Sequence, residues 1–229
     1  MLSLIARPFN APITKRATSI RQDVVEGLRY VLSHPVLRNI SLMMALINMV
    51  GATVFAQLVL FAKQALRAED SEVGLLFAAG GAGVVVLSLA AGPLRKRWSF
   101  GNVALGALML SGLLTVGFAY TDSLWVAIVL WALVSGLGIL FNINTGSLRQ
   151  AIVPNQMLGR VISIAMVLAW SANPIGALAG GLFIERTGDV RLIYAVIGII
   201  TFLIAFVFRV ASPLGRAERY LTPATTPAD

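Results

Sequence analysis

"SANPIGALAGG", residues 171–181, lies inside a charge-free run from Val161 to Ile184. In a soluble helix interior a Pro costs about 3 kcal/mol and a Gly about 1 kcal/mol relative to Ala, so Asn173, Pro174, Gly176, Gly180 and Gly181 would make a poor helix there. In hydrocarbon the accounting differs, because backbone groups find no water and a helix satisfies them internally. Gly176 and Gly180, four apart on one face, let a second helix approach closely where lipid supplies no hydrophobic force. Pro174 frees a carbonyl one turn back, which is tolerable where a neighbour or a water-lined cavity can satisfy it. The stretch reads as an interior, bendable membrane helix.

The rest of the 229-residue chain agrees. It is 58% hydrophobic and 12% charged, against about a quarter charged in soluble domains. Charges divide it into charge-free runs at 39–62, 73–94, 98–121, 123–148, 161–184 and 192–208. A crossing needs about 20 apolar residues at about 1.5 Å rise, so five runs suffice alone. The sixth can extend past Arg209 to Leu214 if that side chain reaches the headgroups. This predicts an all-α membrane protein with six transmembrane helices at 39–62, 73–94, 100–120, 124–147, 161–184 and 191–211. Residues 1–38 read as a linker and 212–229 as a tail, with "TPATTPAD" polar and frayed.

Fourteen of the 18 Lys and Arg fall on one side of this topology, which predicts that both termini are cytoplasmic. The net charge of +8 therefore reflects topology and contact with membrane lipid rather than nucleic-acid binding, for which there is no soluble basic reading domain. Met1–Ala6 is too short for the apolar part of a signal peptide. No cysteine is present, so disulfides and thiolate chemistry are excluded.

Ahead of the first crossing, Ile20, Val24, Val25, Leu28, Val31 and Leu32 share one face of an amphipathic helix over 19–33, expected along the cytoplasmic surface. Ser19 and Gln22 form a capping box and His34-Pro35 a stop. Glycines interrupt the second crossing at Gly74, Gly80, Gly81 and Gly83, and the fifth around Pro174. Such matched interruptions point to an inverted-repeat transporter.

Polar side chains are few in the runs: Asn48 and Gln57 in the first, Ser135, Asn142 and Asn144 in the fourth, Ser171 and Asn173 in the fifth. Asn48 falls about 13 Å and Asn173 about 18 Å from the cytoplasmic ends, near the midplane where transporters bind substrate. Each reads either as an interhelical hydrogen bond or as a substrate contact. Gln57, Ser171 and Trp170 complete the candidate substrate set, with Trp170 open to a plain packing role. Pro174, Gly176 and Gly180 are candidate hinge residues; Arg95, Lys96, Arg97 and Arg160 read as topology determinants or gate residues. The spans contain no Asp or Glu that could relay protons. Enzyme readings fail: Gly146-Ser147 has no intramembrane His to activate it, no Walker A sequence is present, and the lone His34 assembles no metal site or cofactor.

"VVEGLRYVLSHPVLRNI" before the first crossing, and "RQAIVPNQMLGRVIS" leading into "W..NPIGALAGG", are similar to segments of the major facilitator superfamily. The chain resembles the C-terminal half of such a transporter, in the enterobactin-exporter-like and macrolide-efflux-like branch. The resemblance implies one lobe of a 3+3 inverted-repeat fold, with crossings one, two, four and five lining a cavity and three and six peripheral. It also implies secondary active efflux of a small amphipathic molecule, of drug or siderophore type, by alternating access and antiport. The family's basic loop carries an Asp where "GPLRKRW" has Lys96. The partner would be an N-terminal six-helix lobe or a second copy. "MLSLIA" resembles the tail of a preceding helix, which suggests a truncated, split or misassigned coding region. The rivals are an inert or partner-binding membrane fragment, and the permease subunit of an ATP-driven transporter.

Overall fold

Ser19 opens the described part of the chain, residues 19–220 of a computed structural model. Its side chain accepts from the Gln22 amide while the Gln22 side chain accepts from the Ser19 amide, closing the expected capping box on α1, Ile20–Ser33. His34 ends α1, and Pro35, whose missing N–H costs nothing in a first turn, starts α2, Pro35–Ala56. Burial pushes the His34 imidazole below its ordinary pKa. Then follow α3, Leu58–Gln64; α4, Asp70–Arg97; α5, Gly106–Tyr120, entered through a wide turn at Gly101–Leu105; α6, Leu124–Ile152; α7, Asn155–Trp170; α8, Asn173–Thr187; α9, Val190–Ala211; and a short 3-10 turn, Pro213–Tyr220. Six of these helical segments are long and apolar enough to cross a membrane: α2, α4, α5 with its entry turn, α6, α7 with α8, and α9. No strand occurs among the described residues. The chain is a multi-pass membrane protein.

The bundle is held by close seams, α4 on α6, α5 on α9 and α2 on α8. Small residues make them possible. A Cβ on Gly83 would overlap the Ala132 carbonyl, Gly112 and Gly198 stand against each other's backbones, and a Cβ on Gly176 would overlap the Met49 carbonyl. Such contact recovers dispersion energy that lipid would otherwise supply equally well to a separated helix.

Of the four apolar clusters among the described residues, the two largest sit at opposite ends of the bundle. Near the α3 end, Phe61, Phe118 and Tyr194 pack with ring centroids 4.5–5.7 Å apart, joined by Leu58 and Leu76. At the other end, called here the basic end, Ile40, Met43, Leu105, Phe141 and Phe208 form the second. Arginines at both ends of α9 tie the bundle. Arg191 donates to the carbonyls of Ala65, Ala119 and Thr121 and to the Asp122 carboxylate, while Arg209 donates to the Gly101 carbonyl at 3.0 Å and the Asn102 side chain at 2.8 Å.

Several expectations change. Arg209 does not reach for headgroups, because its guanidinium is held by the Gly101 carbonyl and the Asn102 side chain in the turn that enters α5. Part of the anticipated tail, beyond the end of α9 at Ala211, folds back, burying Leu214 and Ala217. Arg95, Lys96 and Arg97 belong to the last turn of α4 rather than a loop, since Pro93 sits inside that helix without ending it. The first crossing breaks at Gln57. On α1, Gly27 and Val31 are buried while Val24, Val25 and Leu32 are half exposed, because the Arg160 pairs turn the Asp23 side toward α7. The expectations for Met1–Ala6, Arg7, Lys15, Arg16 and "TPATTPAD" lie outside the described residues.

Candidate functional site

The fifth crossing is two helices, and the gap between them is where candidate residues gather. Helix α7 is 16 residues and α8 is 15, about 24 and 22 Å, so the break falls near the middle of the crossing. The local cause is Pro174, which has no N–H to give and sits in the first turn of α8, where that lack is harmless.

Carbonyls on both sides of the break accept from α2. Asn48 Nδ2 donates to the Ala169 carbonyl at 3.0 Å, and Thr53 Oγ1 donates to the Gly176 carbonyl at 2.8 Å. These donors lie five residues apart on α2 and clasp the break from both sides. Between them Gly176 and Gly180 let α2 come in, against Met49 and Thr53 respectively. The Asn48 amide thus has a structural partner.

Asn173 differs. Its side-chain oxygen is shielded and has no hydrogen-bond partner. An unpaired buried acceptor costs about 1–3 kcal/mol, so something outside this set of atoms is needed to satisfy it. Ser171 is exposed, its hydroxyl donating to the Leu168 carbonyl at 3.2 Å, and Trp170 is 64% exposed. Gln57 caps the end of α2 and its amide lies beside Gly181, on the same α2–α8 seam. Phe55, also exposed, meets Trp131 edge-on with centroids 5.5 Å apart.

The structure brings Asn48 and Gln57 together with Gly176 and Gly180 on the seam of α2 with the broken crossing, with Asn173 at the break and Trp170, Ser171 and Pro174 exposed beside it. It does not bring the basic candidates there. Arg95, Lys96 and Arg97 are exposed at the end of α4. Arg160, at the start of α7, pairs with Asp23 at 2.9 Å and Glu26 at 2.8 Å on α1. Asn142 and Asn144 donate to carbonyls four residues back on their own helix, at 3.0 and 2.8 Å. Among the described residues no three His, Cys, Asp or Glu side chains group to hold a metal ion.

Sequence reasoning missed Thr53 and Tyr194. Thr53 stood five residues past Asn48, and that spacing was the only signal. Tyr194 OH donates to the Val54 carbonyl at 2.7 Å, just before the Gln57 break; a tyrosine in an apolar run gives no hint of its target.

With this architecture in view, the sequence matches the model of the Major Facilitator Superfamily over residues 3–227. The chain belongs to that superfamily. This places it in a family of membrane transporters rather than among enzymes. It is 27% identical over 177 residues to the "Multidrug efflux pump Tap" of Mycolicibacterium fortuitum, a match covering 74% of this chain and 41% of that protein. The chain therefore spans less than half the length of that relative.

Proposed function

We propose that this chain forms one lobe of a secondary active exporter that moves a small amphipathic molecule, of drug or siderophore type, out of the cell by alternating access. The observation that carries the reading is the mid-membrane break at Ser171–Ala172, with an unpaired Asn173 oxygen inside it and an exposed Trp170 and Ser171 beside it. A discontinuous helix near the midplane offers a ligand both backbone and side-chain polar groups in a low-dielectric setting. Asn173 then accepts from the substrate, Trp170 covers an apolar part of it, and Gln57 and Ser171 border the route. Asn48 contributes by clasping the break. Pro174, Gly176 and Gly180 form the point about which α7 and α8 can change angle.

The reading calls for a partner. Of the apolar stretch of α4 only 17% of residues are buried within the lobe, against 56% for α5, and a six-helix lobe or a second copy would cover such a face. No Asp or Glu lies between the first and last turns of any crossing among the described residues, so a coupling carboxylate would belong to that partner. The excess of Arg and Lys at the basic end supports placing both termini in the cytoplasm of an inner membrane.

The chain has no cysteine, so Ser171→Cys introduces a single label site. In cells, a water-soluble maleimide is expected to modify this position, and an exported amphipathic dye is expected to slow the modification several-fold. Labelling only by lipid-soluble reagents, or at a rate unaffected by any exported compound, would remove the break from the substrate route.

A further inference from the structure

A cavity of about 190 Å³ opens at the basic end, away from the break, between the end of α4, the turn into α5 and the last third of α6. Arg95, Trp98, Ser99, Asn144 and Ser147 supply its polar lining. It is far roomier than the ~10–15 Å³ one water needs. Asn144 is 1% exposed, one of its two amide N–H groups donates to the Leu140 carbonyl at 2.8 Å, and its oxygen has no partner. A buried acceptor in want of a donor therefore lines a cavity that has a guanidinium on its wall. No acidic residue lines it, and Lys96 and Arg97 follow Arg95 directly.

Depth identifies where the ligand comes from. Helix α6 has 29 residues, about 43 Å, so Asn144 lies about 12 Å from its end and a few ångström inside a ~30 Å hydrocarbon core. Trp98 is 55% exposed at the same end, the placement typical of an aromatic at the headgroup level. Both place the cavity at the level of the lipid headgroups.

We propose that this cavity binds the headgroup of an anionic phospholipid that carries a free hydroxyl, as phosphatidylglycerol does: the phosphate beside Arg95, the hydroxyl donating to Asn144 Oδ1. Phosphate and hydroxyl answer the two unmet requirements of the site at once, the cation's and the acceptor's. An ethanolamine headgroup also carries a donor, but its ammonium would enter beside Arg95, Lys96 and Arg97. Choline offers no donor. Ser147 and Ser99 give further hydroxyls to the phosphate oxygens; the Ser99 oxygen already accepts from the Asn102 amide at 3.3 Å, leaving its O–H free to donate.

The test is lipid retention by the purified full chain, read by native mass spectrometry with phosphatidylglycerol, phosphatidylmethanol, phosphatidylethanolamine, phosphatidylcholine and soluble glycerol phosphate. Phosphatidylmethanol has the same charge and no hydroxyl. The expected order is phosphatidylglycerol several-fold above phosphatidylmethanol, and both above the zwitterionic lipids. Arg95→Gln, at an exposed position, should weaken both anionic lipids roughly tenfold. Asn144→Leu should erase the preference for glycerol over methanol while leaving charge selectivity intact; should it fail to fold, Ser147→Ala together with Arg95→Gln still decides. Equal retention of all lipids, a preference for phosphatidylethanolamine, competition by glycerol phosphate, or an unaltered Arg95→Gln would each overturn the proposal.

Discussion

The first and fifth crossings are both broken, and they are broken differently. In the fifth, the covalent structure of Pro174 removes a donor, and α2 brings Asn48 and Thr53 to the Ala169 and Gly176 carbonyls on either side. In the first, no proline or glycine stands at Gln57; instead Tyr194 on α9 donates to the Val54 carbonyl just ahead of it. One break is written into the local chain and then stabilised from outside. The other exists because a distant side chain competes for a backbone acceptor. A break with a local cause persists when its partners are removed, whereas a break with a distant cause should heal into a straight helix.

The seam under the fifth-crossing break gives the largest expected effect. Gly176→Leu would drive a side chain into the Met49 backbone, while Gly181→Leu meets only the end of the flexible Gln57 side chain. Overpacking of a tight seam costs about 1–3 kcal/mol or more, so Gly176→Leu should abolish a monodisperse membrane protein and Gly181→Leu should purify normally. Equal yields of the two, by size-exclusion chromatography, would show that the α2–α8 approach is not close.

Next comes Tyr194→Phe, which deletes the hydroxyl on the Val54 carbonyl and should cost about 1–2 kcal/mol of stability. It should also straighten the first crossing, which spin labels on α2 and α3 would report as a longer mean separation. An unchanged distance would mean the Gln57 break has a local origin. Asn48→Ala and Thr53→Ala should each cost about 0.6–2 kcal/mol in thermal unfolding while leaving the fifth crossing broken, since Pro174 remains. A continuous fifth helix in Asn48→Ala would assign the break to the clasp instead of the proline.

The smallest effect belongs to the strap between α1 and α7. Arg160 is part exposed in its pairs with Asp23 and Glu26, so Arg160→Gln should cost under about 1 kcal/mol, diminishing as salt rises. A cost independent of salt would indicate packing rather than charge.

Six crossings, their order and the α1 capping box were legible because each rests on local signals: charge-free length, Ser19 with Gln22, His34-Pro35. The break near Pro174 was half legible; its site followed from the proline, but its clasp did not, since Asn48 and Ala169 are 121 residues apart, and Thr53 and Gly176 123, in a chain that shows no sign of either pairing. The Gln57 break and the buried Asn144 oxygen were not legible at all, because both depend on where another helix stands. Within the substrate set, sequence alone left Asn48 and Asn173 equivalent, two amides at similar depth. Their separation into one bonded amide and one unpaired oxygen is a tertiary fact.

That separation is the centre of the account, and paired measurement of thermal stability and export per molecule in Asn48→Ala and Asn173→Ala tests it most directly. The account predicts that Asn48→Ala lowers stability and loses export only in proportion to lost protein, while Asn173→Ala, relieved of a buried unpaired oxygen, is at least as stable as the parent and exports several-fold less per molecule. An Asn173→Ala protein that exports at the parental rate, or one destabilised as much as Asn48→Ala, would contradict it.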